Sequence, residues 1–305
     1  MAEELITAPA ALSDETRAPG RSGVLPAASG MALVGGSVAV SGVVTPDVMF
    51  VLGAVRYAAA CLLLVAYARM TGRPLLRPRG AEWLWLAGIA AAGLVLFNIA
   101  LVDGSRHAEP AVLGVAVASV PPVLSVAGPL MQGMRPRRSV ILAAVVVTFG
   151  AALVYGLGRS DALGIGYALV VFGCEAAFTL LAVPVLGRLG PVGVSVHTAW
   201  MGSLLFAAGW LTWEGPLAVT GITGEQWAAV AYLAVGVTAV AFVLWFTGVG
   251  RLGPARAGLL AGITPVSAAI TGTLLLGAPV PGPAVWAGMA VVTAGLALGL
   301  RRDPL

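Results

Sequence analysis

The sequence predicts an all-α polytopic membrane protein, with ten transmembrane helices arranged as two inverted five-helix repeats. Three observations predict it. The 305 residues are 59% hydrophobic and only 10% charged, with a mean hydropathy of +0.97, whereas roughly 25% of residues are charged in an ordinary soluble domain. The apolar residues gather into ten runs, each close to the ~20 residues that cross a ~30 Å hydrocarbon core. The second five runs repeat features of the first five at a nearly constant offset.

The runs lie near residues 26–45, 48–70, 82–103, 108–131 and 137–157, then 162–186, 192–213, 225–248, 254–276 and 281–300. Hydrocarbon offers no hydrogen bonds, so the backbone of each run must satisfy itself, and runs of this length do so as helices. The first repeat is therefore read as residues 26–157 and the second as 162–300. Ahead of them, Glu3, Glu4, Asp14 and Glu15 precede Arg17 and Arg21. A signal peptide has a basic start instead, so residues 1–25 are expected to form a disordered cytoplasmic tail.

Charge supplies the orientation. With a cytoplasmic amino terminus, the inner segments hold fourteen arginines, among them Arg69, Arg73, Arg77, Arg79, Arg135, Arg137, Arg138, Arg188, Arg251 and Arg256. The outer loops hold two, Arg106 and Arg159, and Arg56 lies inside a run. This bias places both termini in the cytoplasm, which requires an even number of spans. The expected location is the cytoplasmic membrane of a bacterium, with a lipid bilayer as the partner.

The repeat is legible at an offset of 144: Pro110, Ala111, Gly114, Pro121, Gly128 and Gly133 match Pro254, Ala255, Gly258, Pro265, Gly272 and Gly277. Trp83 falls opposite Trp227, and Val147, Thr148 and Gly150 match Val292, Thr293 and Gly295 one step further out of phase. Loop charge changes between the copies as inversion demands. The four-arginine segment 69–79 corresponds to 214–225, which carries only Glu214 and Glu225. Five helices are an odd number, so the second copy points the opposite way. Such inverted repeats are a common construction plan of secondary transporters.

The ten-helix layout, Arg56 in the second helix and the segment RLGPARAGLLAGITPVSAAITGTLLLG (251–277) resemble the drug/metabolite transporter superfamily, EamA family, over roughly residues 26–300. The resemblance implies both ends in the cytoplasm, a central cavity lined mainly by helices one, three, four, six, eight and nine, and export of small metabolites. One departure is plain. Family members often carry a glutamate after the glycine that ends helices four and nine, whereas Gly133 is followed here by Met134 and Gly277 by Ala278.

Few side chains in the runs carry chemistry. Glu175 sits mid-run in YALVVFGCEAAFTLLAV with no other charge within ten residues. An ionised acid at that depth costs ~2.5–3.5 kcal/mol or more, so Glu175 is expected to exchange a proton for substrate, to hold a cationic group, or to pair with Arg56. Arg56, eight residues into its helix, is expected to be structural or gating. His197 aligns with Arg56 in the repeat, GVSVH against GAVR, and is expected to donate between helices or to titrate near neutral pH. Pro121, Pro122 and Pro265 are expected to break helices four and nine and to line the cavity, with Ser119 and Thr264 as polar lining or backbone caps. Asn98 is the remaining buried amide of helix three. Trp245 and Phe178 are expected in an apolar cavity wall, while Trp83, Trp85, Trp213 and Trp227 lie near run ends as interfacial anchors.

Several functions are excluded or disfavoured. All 17 basic residues are arginine, so a Walker A loop and lysine Schiff-base chemistry are absent. The arginines are scattered among short loops and give no nucleic-acid footprint. Cys61 and Cys174 sit inside runs without a CxxC and read as structural thiols. His107 and His197 belong to no HExxH, and no cofactor or metal ion is expected. The reading is a secondary active transporter that exports a small metabolite, amino acid or amphiphilic compound by alternating access, with a small-molecule substrate and a proton as the candidate coupling ion. The alternatives are a non-transporting membrane sensor or partner protein and an intramembrane enzyme. The sequence leaves the oligomeric state open.

Overall fold

The structure is a computed structural model that describes residues 21–37, 44–156, 158–276 and 279–301. In chain order its helices are α1 (Val24–Gly36), α2 (Met49–Met70), α3 (Glu82–Gly104), α4 (Pro110–Met131), α5 (Arg138–Tyr155), α6 (Ala162–Leu180), α7 (Val183–Glu214), α8 (Gly224–Leu252), α9 (Pro254–Leu274) and α10 (Pro283–Gly299). The eight helices from α2 to α9 are long and apolar enough to cross a membrane, and α1 and α10 are shorter apolar helices. Apart from an isolated antiparallel bridge between Ala108 and Ser160, no strand occurs among the described residues. The molecule is an all-helical, multi-pass membrane protein.

The boundaries follow the expected ones with two local differences. Helix α1 starts at Val24, two residues ahead of the expected run, and is described as far as Ser37. The remainder of that run through residue 43 lies outside the described residues, as do residues 1–20 of the expected tail. Helix α7 spans two expected runs because the backbone stays helical through Leu181 and Ala182 after α6. The direction changes at Gly190, with φ 68° and ψ 168°, a conformation open essentially to glycine alone. Pro191 follows it, and α7 proper begins there.

Besides α7, with its Gly190 kink and a π-helical end at Trp210–Glu214, four helices depart from α geometry. Wide π-helical turns occupy Ile89–Leu96 in α3 and Leu233–Ala241 in α8, and their first residues are 144 apart. Helix α4 stops at Ala118 and restarts at Pro121. Helix α9 tightens into a 3-10 turn over Leu260–Gly262 before continuing from Ile263. Pro121 and Pro122 open the second half of α4, as expected of residues that lack a donor. Pro265 is placed differently: it lies in the first turn after the 3-10 segment, where a missing N–H is tolerated, rather than at the break itself. Carbonyls near the α4 break find hydroxyl donors. Ser119 Oγ donates to Val115 O at 2.7 Å and Thr148 Oγ1 of α5 donates to Ala118 O at 3.2 Å.

The helices pack as two triads, α3–α4–α6 and α8–α9–α1, flanked by the pairs α2–α7 and α5–α10. Burial is not symmetric along the bundle. At the arginine-rich end, which carries Arg69–Arg79, Arg188 and Arg251, one continuous core joins both triads. It includes Leu86 and Ile89 of α3, Phe178 of α6, Trp245 and Phe246 of α8, and Leu260 of α9. Toward the arginine-poor end the buried clusters are smaller, and one of them, Ala118, Ala151 and Val292 with Val266 packed against it, links α4 through α5 and α10 to α9. Ala100, Leu113, Ala168 and Val171 unite only α3, α4 and α6, while Val51, Leu52 and Val230 unite only α2 and α8.

The α5–α10 pair is held by backbone contact. A Cβ added at Gly150 would lie 2.7 Å from Val292 N and 2.9 Å from Gly288 O, and one at Gly295 would lie 3.0 Å from Val147 N. These glycines let the helices approach closely enough for dispersion contacts along their length. Gly150→Leu must separate two backbones and is expected to lower stability by ~1–3 kcal/mol or more. Gly166→Ala, whose Cβ meets nothing within 4 Å, is expected to leave it unchanged. Thermal unfolding of the two variants in detergent checks both.

Candidate functional site

The site is built on α6. Gly164, Ala168, Val171, Phe178 and Thr179 are its buried stripe, while Leu163 and Leu169 on the opposite face are 62% and 65% exposed. Glu175 lies within the buried stripe, four residues before Thr179, yet is itself only half-buried. The direction of the stripe is set by its neighbours. Thr179 Oγ1 accepts a hydrogen bond from Trp245 Nε1 of α8 at 3.1 Å, so the stripe points across the molecule at the opposite triad. Glu175 stands one turn nearer the arginine-poor end than this contact.

Further toward the arginine-rich end, aromatic rings pack between the triads. Phe178 lies 4.9 Å from Phe242 and 5.1 Å from Phe246 between ring centroids. Trp245 is 3% and Phe178 8% exposed. Gly93 in the π segment of α3 makes room for this plug, since a Cβ there would fall 2.9 Å from Phe178 Cβ. Trp245 and Phe178, expected in an apolar cavity wall, are buried in the core between the triads.

A second polar group joins α2, α3 and α8. Arg56 Nε donates to Thr238 Oγ1 at 2.9 Å, and its guanidinium carbon lies 5.0 Å from the centre of the Tyr57 ring, a cation–π contact. Asn98 Nδ2 donates to Tyr57 Oη at 3.3 Å and to Leu94 O at 2.6 Å. Thr238 and Leu94 belong to the two π segments, so adjacent residues of α2 brace the two irregular stretches. No ion pair joins Arg56 to Glu175 among the described residues, and the two form separate polar positions.

His197 has another task. Trp200 Nε1 donates to its Nδ1 at 3.1 Å, and its Nε2 lies 3.0 Å from Leu76 O. This geometry suits the neutral tautomer with hydrogen on Nε2, which pins the α2–α3 connection to α7. His197 does not share the contacts of Arg56, its repeat counterpart. The same connection is clamped by Arg188, which forms a forked ion pair with Glu82 at the start of α3 and donates to Arg77 O at 3.0 Å. Thr264 is buried against α1, with Oγ1 3.5 Å from Met31 O, and neighbouring Ser267 donates to Ala32 O at 2.7 Å. Ser119 and Thr264 therefore bond backbone carbonyls.

At the arginine-poor end the α3–α4 and α5–α6 connections form a clasp. Arg159 Nε donates to Glu109 Oε1 at 2.8 Å, and His107 Nδ1 lies 2.9 Å from Asp161 Oδ2. The Gly164 N–H and then His107 hold the Asp161 carboxyl below the usual carboxylate range. The Arg159 side chain and then its N–H do the same for Glu109. Two cavities, of about 420 and 390 Å³, open at this end between α2, α3 and α7. Glu175 lines neither.

Sequence reasoning found Glu175, Trp245, Phe178, Arg56 and Asn98 as separate points; in the structure Trp245 and Phe178 pack together beside Thr179, Arg56 and Asn98 join a polar brace through Tyr57, and Glu175 stands apart. It missed Thr179, Thr238, Tyr57 and the Glu82–Arg188 clamp. Thr179 carried a signal, being a hydroxyl four residues from Glu175 on the same face. Glu82 and Arg188 are 106 residues apart, and nothing local links them.

The fold and site define a polytopic helical membrane protein with two helix triads sealed at one end. Residues 162–301 match the model of the EamA-like transporter family. The chain is 25% identical over 265 residues to an uncharacterized transporter, YetK, of Bacillus subtilis strain 168, covering 83% of this chain and 79% of that protein. A protein of known crystal structure shares the fold, with a TM-score of 0.76 over 92% of this chain and 96% of its own at 21% identity. The family match covers residues 162–301, a little under half of the chain, and includes the segment 251–277.

The clasp yields a pH expectation. Both carboxyls have folded values below their unfolded ones, so their contribution is complete above about pH 4 and is lost as pH falls through the lower folded values. Amide exchange of Asp161 N–H, bonded to His107 O, and of Glu109 N–H, bonded to Arg159 O, reads this directly. Protection relative to the intrinsic rate is expected to hold from neutrality to about pH 4 and to fall only below it. Loss beginning above about pH 5.5 would contradict the assignment.

Proposed function

We propose that the protein is a secondary active transporter that moves a small solute out of the cell by alternating access, and that the structure is its outward-open state. Ten spans in two inverted repeats carry it, with the arginine-rich end in the cytoplasm. The reading is supported by the π segments 144 residues apart, by the matching triads and by the irregular turns of α4 and α9. The single observation that carries it is Glu175, half-buried on a protein-facing stripe, immediately above the Thr179–Trp245 contact.

In this reading the solute enters the gap between the triads and reaches Glu175 at mid-depth. The aromatic plug and the Glu82–Arg188 clamp close the cytoplasmic side. Rocking one triad against the other opens the plug and closes the outer side, where the triads meet in the small cluster of Ala118, Ala151, Val292 and Val266. Glu175 carries a proton inward or holds a cationic group of the solute. With an acid at mid-depth and Arg56 engaged by Thr238, a neutral, zwitterionic or cationic solute is favoured over one rich in anionic groups. Small metabolites, amino acids and amphiphilic compounds fit this description.

Transport in everted vesicles, with and without an imposed proton gradient, tests direction and coupling together. Glu175→Gln keeps the side-chain shape and removes the titratable group. It is expected to reduce gradient-driven flux about tenfold or more, as for a loss of ~1.4 kcal/mol. Gradient dependence equal to the wild type would overturn the role given to Glu175.

A further inference from the structure

We infer that a groove at the arginine-poor end of α2, α3 and α7 binds a single-chain amphiphile with an alkylammonium head. The site is separate from the Glu175 gap and does not depend on the transport reading.

Two cavities meet there and share two aromatic rings. The larger, about 420 Å³, is an apolar trough lined by Val95, Ile99, Leu205 and Ala208 together with Phe50 and Trp213. The smaller, about 390 Å³, is lined by Pro46, Asp47 and Glu214 together with the same Phe50 and Trp213. The two rings lie 5.3 Å apart at an interplanar angle of 31° and stand where the trough becomes the acidic mouth. Gly209 sets the position of one of them, since a Cβ there would fall 2.3 Å from Phe50 Cδ1. Trp213 is 76% exposed, so its indole remains available to a ligand.

The mouth is fixed rather than loosely charged. Glu214 accepts from Phe50 N at 2.6 Å and from Val51 N at 2.9 Å, which locks its carboxylate over the first turn of α2. Asp47 is exposed, and its carboxylate accepts only from Thr45 Oγ1, at 3.2 Å, among the described side chains. Among the described residues, no cationic side chain lines either cavity.

Charge and shape together select the occupant. The trough lies in the apolar part of α3 and α7 and takes an alkyl tail. Two carboxylates beside two ring faces favour a positive head, and a quaternary ammonium most of all. A phospholipid head would bring its phosphate against Asp47 and Glu214, so a single-chain alkylammonium fits where a membrane lipid does not.

The test is a binding measurement on the purified full-length chain in phosphatidylcholine nanodiscs. The probe is dodecyltrimethylammonium with a nitroxide on its tail, and the readout is quenching of the tryptophan fluorescence that Trp213→Phe removes. Saturable quenching is expected, displaced by unlabelled dodecyltrimethylammonium but not by tetramethylammonium or dodecanesulfonate at the same concentration. Asp47→Asn, which leaves the Glu214 contacts intact, is expected to weaken binding about fivefold. Ala208→Phe is expected to abolish it by filling the trough, with an unchanged unfolding temperature. Non-saturating quenching, equal displacement by dodecanesulfonate, or wild-type affinity in Asp47→Asn would each overturn the proposal. The Asp47→Asn result decides even if Ala208→Phe does not fold.

Discussion

Hydrocarbon offers no partner to a backbone amide or a hydroxyl, and this constraint governs where the helices of this protein can be irregular. Several departures from α geometry are met by protein partners. The break in α4 is met by Ser119 and by Thr148 of α5. The π segment of α8 presents Thr238 to Arg56, and that of α3 supplies the Leu94 carbonyl to Asn98. The irregular stretches fall in α3, α4, α8 and α9 of the triads and in α7, whose π turn Trp210–Glu214 lies at its arginine-poor end. The pair α5–α10 stays regular and is joined through glycine contacts. Rigidity and deformability are thus assigned to different helices.

The second feature of the molecule is its lengthwise asymmetry. The largest core binds the triads at the arginine-rich end, whereas the clusters near the other end are small. In the proposed reading Glu175 borders a gap at this transition, which makes a lone acid tolerable inside an apolar helix. The ring cluster of Phe178, Phe242 and Phe246, tied by the Trp245–Thr179 hydrogen bond, supplies the floor. In the proposed cycle this floor is the part that must come apart, and the clamp between Glu82 and Arg188 must release with it.

Much of this was legible in the residues, and the reasons are physical. Helices were readable because a membrane span is long and apolar, and that signal does not depend on distant contacts. Glu175 stood out because charge at mid-depth is costly. The role of Trp245 and Phe178 was not readable, since whether an aromatic ring lines a cavity or plugs it depends on how two helices 60 residues or more apart meet. The same holds for Glu82 with Arg188, and for His197, whose partner is a backbone carbonyl of a distant connection. Pro265 shows the limit of alignment by repeat: its counterpart Pro121 opens a helix, yet Pro265 sits inside one, after a turn that tightens without breaking.

The central claim is that the gap reaches Glu175 from the arginine-poor side and stops at the plug. The most direct measurement is thiol accessibility in intact cells, using a background with Cys61 and Cys174 replaced by alanine. A cysteine at position 175 is predicted to react with an impermeant maleimide added outside, and a cysteine at position 245 is predicted to be protected. Protection at 175 together with reaction at 245, or labelling of 175 only in everted vesicles, would contradict the account.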